Sequence, residues 1–259
     1  MPRTILITGA SSGIGRALAL ASAAPDVTLH LGGRNPERLA AVAEECRRRG
    51  AEVAENALDV RDADAMAAWV QGAGRLDLVI ANAGQGGGSD DGRPEPSAQV
   101  RALFAVNLNG TMNVVLPALE AMLQQPPDAA GVRGRIAVIA SIAAFVPAPG
   151  AATYAAAKAA VDRWTVATAH HAGRCGVVMT SVCPGYVRTP MTAANRFPMP
   201  GLMEADRAAA IILRGVAAGQ RRVAFPWWMG AAAALVGALP PRWSTALLAV
   251  PPGKGKAAL

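Results

Sequence analysis

The sequence predicts a doubly wound α/β fold, a parallel β-sheet with helices packed on both of its faces. Three observations carry that prediction. Short apolar runs recur along the chain and are continuous rather than alternating, as in strands buried on both faces. Stretches of helical periodicity fill the intervals between them. Glycines and small polar residues collect just after the runs, where sheets of this kind bind ligands, beyond the strands' carboxyl ends.

The first run, "TILIT" at 4–8, leads into "TGASSGIG", Thr8 to Gly15. Gly9, Gly13 and Gly15 let the backbone pass close to a pyrophosphate, and the helix that follows offers unpaired N–H groups. Ser11, Ser12 and Ile14 belong to the same cofactor-binding loop. Its glycine spacing is not the common GxGxxG, so its place at the first strand-to-helix junction carries the assignment.

The second run, "VTLHL" at 27–31, ends in Gly32, Gly33 and Arg34 with no acid. An acid here usually holds the ribose hydroxyls of NAD, whereas an arginine can pair with the 2′-phosphate of NADP. NADP(H) is therefore favoured over NAD(H), with a solvated surface arginine as the alternative for Arg34. "PERLAAVAEECRRR" at 36–49 reads as a helix whose closing Arg47, Arg48 and Arg49 complement its C-terminus ahead of Gly50.

A mixed run at 51–60 ends in Asp59 and Val60. Asp59 is placed either to accept from an adenine amino group or to cap the helix beginning near Asp62, at 62–73. After the fourth run, "LDLVIA" at 76–81, the small residues Asn82, Ala83 and Gly84 admit a cofactor, Asn82 serving alternatively to lock the turn. The glycine-rich 84–96 reads as a flexible loop and 251–259 as a frayed end.

The fifth run, "RIAVIA" at 135–140, places Ser141 at a carboxyl end, 13 residues before Tyr154 in "YAAAK". Tyr154 and Lys158 are four apart, on one face of one helix. Only three lysines occur, Lys158, Lys254 and Lys256, so Lys158 is the sole lysine before the tail. The sixth run, "VVMTSV" at 177–182, leads into "CPGYVRTPM".

The 259 residues, 52% of them hydrophobic, suit one large domain over 1–259, with 186–250 contributing a substrate loop and an apolar carboxyl-terminal segment. A formal charge of +7 raises nucleic acid as a partner, but 4% aromatic content without basic interleaving gives no base-stacking platform, and no nucleic acid is expected. Cys46, Cys175 and Cys183 lack metal-ligand spacing, so no metal is expected and the thiols suit a reducing compartment. The chain begins without a signal-peptide pattern, which makes a cytoplasmic location the expectation.

"TGASSGIG", "NAG", a serine ahead of "YxxxK" and a proline-glycine turn after the sixth run stand in the order and approximate spacing of the short-chain dehydrogenase/reductase family, which the chain resembles from about Arg3 to Thr189. The resemblance implies a Rossmann-like sheet of about seven strands in the order 3-2-1-4-5-6-7 and assembly as a homodimer or homotetramer. It implies Ser141, Tyr154 and Lys158 as catalytic residues, with Asn107 of "FAVNLNG" the fourth. Asn107 would hold a water on a proton path from Lys158; its alternative is a buried asparagine satisfying backbone groups. Pro184 and Gly185 match the family's turn, and Val187 and Thr189 would meet the nicotinamide carboxamide.

Physical chemistry agrees with these roles. A free tyrosine titrates near ~10, and a neighbouring cation favours its phenolate. Lys158 supplies that cation and a donor for the nicotinamide ribose, while Ser141 orients the substrate oxygen. The implied activity is an NADP-preferring oxidoreductase interconverting a carbonyl and a secondary alcohol, with Tyr154 as general acid and base. A non-catalytic dinucleotide-binding sensor or scaffold is the alternative, and an intact Ser, Tyr and Lys set argues against it.

The expected substrate walls, 143–149, Tyr186 and 189–203, are mostly apolar, which favours a small or lipid-like apolar substrate. Residues 224–241 carry no charge. Pro226 and Pro240 bracket only 13 residues of helix, about 20 Å, too short for a ~30 Å hydrocarbon core. A helix at a subunit interface or over the substrate site is favoured there, and a peripheral membrane contact through Trp227, Trp228 and Trp243 is the less favoured reading.

Overall fold

A computed structural model describes residues 3–89, 93–193, 195 and 197–249. Seven strands form one sheet, β1 (Thr4–Thr8), β2 (Thr28–Gly33), β3 (Glu52–Ala57), β4 (Leu78–Ala81), β5 (Gly134–Ile139), β6 (Val177–Pro184) and β7 (Arg222–Phe225). Every pairing is parallel, and the order is β3-β2-β1-β4-β5-β6-β7, as expected. The order reverses between β1 and β4, so a crevice opens at their carboxyl ends.

Six strands lie on the six apolar runs. The seventh begins two residues ahead of the uncharged 224–241 segment and runs into its first two residues, where the sequence suggests only helix; four residues, "RVAF", are too few for a pattern to show.

Alternate side chains of each strand enter two separate cores, which is why the runs are continuously apolar. Ile5, Ile7, Leu29, Leu31, Ile80 and Ala137 pack toward α1 (Gly13–Ser22), α2 (Pro36–Arg48) and α8 (Ala205–Ala217). Leu6, Val79, Ile136 and Val138 pack toward α3 (Ala63–Gly72), α5 (Gly110–Gln124) and α6 (Ala152–Arg174). The helix α4 (Ser97–Phe104) continues into α5 through a wider π turn, Ala105–Asn109, and the combined run Ser97–Gln124 is long and apolar enough to cross a membrane, although much of it is buried in this fold.

The α2 boundaries follow the sequence: Asn35 caps it by accepting from Arg38 N at 2.8 Å, and Gly50 just past its end has φ +93°. Asp62, not Asp59, caps α3, accepting from Ala65 N at 3.0 Å, which removes the capping alternative for Asp59. After a short α7 (Pro190–Ala193) come α8, β7, α9 (Trp227–Gly237) and α10 (Pro241–Leu248). The three cysteines are all free. Of the loop at 84–96, residues 90–92 lie outside the described residues, as does the tail at 251–259. The loop's front is tied down, because Gly88 O accepts from Gln99 Nε2 at 2.9 Å.

Candidate active site

The turn after β1 takes its shape from two glycines in the left-handed region, Gly9 at φ +66° and Gly13 at φ +54°. Ser12 precedes α1 without capping it through its side chain, so the first N–H groups of that helix have no side-chain partner. These groups, with Gly9, Ser11, Gly13 and Ile14, line one wall of a groove at the switch point. Thr8 Oγ1 accepts from the N–H groups of Asn82 and Ala83, each at 3.0 Å, and Asn82 Nδ2 donates to Thr8 O and Gly9 O. Asn82 thus locks the turn while keeping its place on the groove wall.

Gly15 does a different job from the one the sequence suggests. It is absent from the groove wall, and a Cβ there would lie 2.1 Å from Gly9 O, so its bareness lets α1 seat against the loop.

Arg34 lines the groove at the end of β2, and Arg38, a residue the sequence left unmarked, lines it from the first turn of α2. The signal for Arg38 was its position: a cation at a helix N-terminus opposes the helix dipole unless an anion joins it. Neither guanidinium has an acidic partner within salt-bridge distance among the described residues. Asp59 faces the same groove but is engaged by Arg61, with Arg61 Nε at 3.0 Å and Nη2 at 2.6 Å. That hydrogen bond, helped by the charge of Arg34, holds the Asp59 carboxyl below the usual carboxylate range. Under Gly32 lies Trp69, whose ring atom would stand 2.5 Å from a Cβ at that position.

Where β5 ends, Ser141 Oγ accepts from Ala143 N at 3.1 Å and opens a one-turn helix, Ile142–Phe145. Tyr154 and Lys158 rise from α6 on the same side. Lys158 Nζ lies 5.9 Å from the Tyr154 ring centroid and donates to Ile139 O at 2.7 Å. The lysine is 3% exposed, and burial lowers its pKa from 10.5 to about 8. Burial raises the Tyr154 phenol, while a hydrogen bond with Ser141 acts in the opposite direction. At neutral pH the pair is therefore a protonated phenol beside an ammonium.

Asn107 is fully buried in the π turn and lines no groove. Its Oδ1 accepts from Gln85 N and its Nδ2 donates to Gln85 O, both at 2.9 Å, so its amide does what a buried asparagine does for backbone groups. It still borders the cluster: a Cβ on Gly84 would fall 3.0 Å from Asn107 Oδ1 and 3.4 Å from Lys158 Nζ.

Asp162, one turn beyond Lys158 on the face that the four-residue spacing defines, was not singled out by the sequence. It is fully buried, accepts from Ser181 Oγ at 2.7 Å and pairs with Arg222 at 2.7 and 2.9 Å, tying α6 to β6 and β7. Burial pushes the nearby Cys183 thiol up to about 12, which leaves it an unreactive core residue.

Val60, Ala83, Gly84, Pro184, Gly185, Val187 and Thr189 also face the groove. Thr189 packs against the glycine loop, since a Cβ at Gly13 would meet its side chain at 3.0 Å. The groove continues past Ser141 and Tyr154 into a cavity of about 780 Å³ walled by Ala143, Val146, Tyr186, Phe197, Trp228 and Val236, among others. Ala143 and Val146 of 143–149 and several residues of 189–203 line this cavity, with residues 194 and 196 outside the described set; α9 supplies a further wall, a segment the sequence left open between two roles.

The fit to a dinucleotide rests on this chain alone: bare glycine turns, uncapped N–H groups and two unpaired arginines lie along one groove. Fold and groove define an NAD(P)-dependent oxidoreductase acting on CH–OH and C=O groups. Residues 3–199 match the family model of the short chain dehydrogenases, and the chain belongs to that family. An "uncharacterized oxidoreductase" of Myxococcus xanthus (strain DK1622) is 35% identical over 242 residues, covering 92% of this chain and 93% of that protein. Levodione reductase superposes with TM-score 0.78 at 27% identity, over 89% of this chain and 98% of that one. A single-residue variant of actinorhodin polyketide ketoreductase with NADPH gives 0.74 at 25%, over 88% and 97%.

Proposed function

We propose that the protein is an NADP-preferring reductase or dehydrogenase that interconverts a ketone and a secondary alcohol on an apolar substrate. The observation that carries this reading is the meeting of Ser141, Tyr154 and Lys158 where the dinucleotide groove opens into an apolar cavity. The bound cofactor supplies or accepts the hydride. Tyr154 delivers a proton to the developing alkoxide in reduction and removes it in oxidation. Ser141 holds the substrate oxygen, and Lys158 stabilises the phenolate after proton transfer and holds the cofactor ribose. Asn107 acts as a positioning residue by fixing the Gly84–Gln85 backbone beside Lys158. The reading takes 1–259 as one dinucleotide-binding domain, assembled as a homodimer or homotetramer in the cytoplasm, with the exposed Leu116 and Leu123 of α5 offering an apolar contact face.

A panel of ketones and secondary alcohols assayed with both cofactors tests the substrate class. Hydrophobic carbonyl compounds should give the highest kcat/KM, and a preference for small charged acids or phosphorylated sugars would overturn it.

Cofactor preference rests on Arg34 and Arg38. Arg34→Ala should raise the Kd for NADPH by about 10- to 100-fold, the loss of one charge-assisted phosphate contact, while changing NADH much less. Arg38→Ala should show the same selectivity to a smaller degree. Equal losses for the two cofactors, read by fluorescence titration, would remove the 2′-phosphate assignment.

A further inference from the structure

The charge of this chain is unevenly distributed. Residues 1–206 hold 18 lysines and arginines against 18 acids, whereas 207–259 hold seven cations, Arg207, Arg214, Arg221, Arg222, Arg242, Lys254 and Lys256, and no acid. The whole formal charge of +7 thus belongs to the last segment. All five of its arginines within the described residues are exposed, and of these only Arg222 has an acidic partner.

The same segment carries an apolar surface that the fold leaves uncovered. Helix α9 contains no polar side chain apart from the indoles of Trp227 and Trp228, and it packs through Met229, Gly230, Ala233 and Val236. A Cβ at Gly237 would meet Phe145 O at 1.8 Å, so the helix lies close against the turn after β5. Its other sides face out. Trp227 is 78% exposed and Leu235 73%, and on α10 Trp243 is 55% and Leu247 65%. Arg242 lies over the Trp243 ring, 5.6 Å from its centroid, a cation beside an aromatic at the surface. Trp228 is both a wall of the substrate cavity and 44% exposed, so the cavity reaches the surface beside this face.

We infer that α9 and α10 dock the protein on the surface of an anionic phospholipid membrane, with the substrate cavity opening toward the bilayer. The 11 residues of α9 are too few to span, so the helix lies in the interface with its tryptophans and leucines among the acyl chains. Arg242, on α10 beside Trp243, gives this face an exposed cation for the anionic headgroups. A second copy of the chain fits this face less well, because a two-fold contact would bring together two faces that each carry Arg242 and no acid on α9 or α10 to pair it. The connection to substrate supply rests on the apolar-substrate reading above; the docking itself does not.

Co-sedimentation with vesicles tests the docking. The full chain should bind vesicles of equal phosphatidylcholine and phosphatidylglycerol at least about tenfold better than vesicles of phosphatidylcholine alone, and high salt should reduce the difference. The double variant Trp227→Ala with Trp243→Ala should lose about tenfold or more of that binding. Neither tryptophan lines the cavity, so this variant should keep its turnover of a water-soluble ketone, which also shows that it folds. Wild-type protein that turns over the ketone but ignores both vesicle types would overturn the docking and leave the catalytic reading standing. Vesicle binding without turnover would do the reverse. Failure to bind vesicles combined with a double variant that falls to a smaller assembly in sedimentation velocity would reassign the face to contact between copies.

Discussion

Tyr154→Phe is expected to bind NADPH as the wild type does and to lose about 10²- to 10⁴-fold in kcat, the range that a positioned general acid contributes. The substitution removes one oxygen and leaves the ring, so the packing of α6 against β6 and the wall of the groove persist. What disappears is the phenolic proton at the junction of groove and cavity. Burial keeps the phenol protonated there, which suits reduction, where the proton is delivered. Oxidation needs the phenolate, so its rate in the wild type should climb as the pH rises above neutral. KM for the ketone should change far less than kcat, because the proton moves only in the transition state. A variant with undiminished turnover, and with NADPH binding confirmed by fluorescence, would show that the proton comes from elsewhere.

Much of this site was legible because its chemistry sits at strand ends, and strand ends are where continuous apolar runs stop. The glycine loop, Arg34 and Ser141 lie at such stops, the Tyr154–Lys158 spacing is a helical pattern beyond the fifth of them, and all of these except Gly15 face the groove. What the sequence hid falls into three physical kinds. Gly15 and Asn107 bear on packing partners that no local pattern announces, Gly9 O and the Gln85 backbone, and nothing local distinguishes a glycine beneath a loop from one on its surface. Asp162 looks like a solvated helix acid until the fold brings Arg222 to it from 60 residues away. Strand β7 has four residues and merges with an apolar helix, leaving no change of period to mark the boundary. The 224–241 segment was ambiguous for a different reason: one side of α9 covers the cavity and the others are exposed, and an uncharged run with no polar face marks neither side.

Lys158→Met should abolish turnover and at the same time make the cofactor-free protein more stable. The fold lowers the pKa of Lys158 from 10.5 to about 8 by burial, so holding its charge inside costs about 3 kcal/mol at neutral pH, at 1.36 kcal/mol per unit. Methionine fills similar space without a charge. It also abandons the hydrogen bond to Ile139 O, which returns about 1 kcal/mol of the gain. A net gain of about 2 kcal/mol corresponds to a rise of about 4–8 °C in Tm for a chain of this size. The sign of the pH dependence follows from the depressed pKa. Below pH 8 lysine is charged in both folded and unfolded chains and the full penalty applies. Between about 8 and 10.5 the folded chain binds fewer protons than the unfolded one, so wild-type stability rises with pH and the gap to the variant closes. Thermal unfolding measured from neutral pH to beyond 10.5 reads this directly. An unchanged Tm at neutral pH would mean that the ammonium is better solvated than its 3% exposure implies. The expected pattern, activity lost and stability gained by one substitution, is that of a cation kept in the interior for chemistry at the expense of the fold. It also accounts for the residue type: in a chain whose other cations before the tail are all arginine, position 158 carries the one whose compact ammonium can be buried, lower its pKa and release its proton.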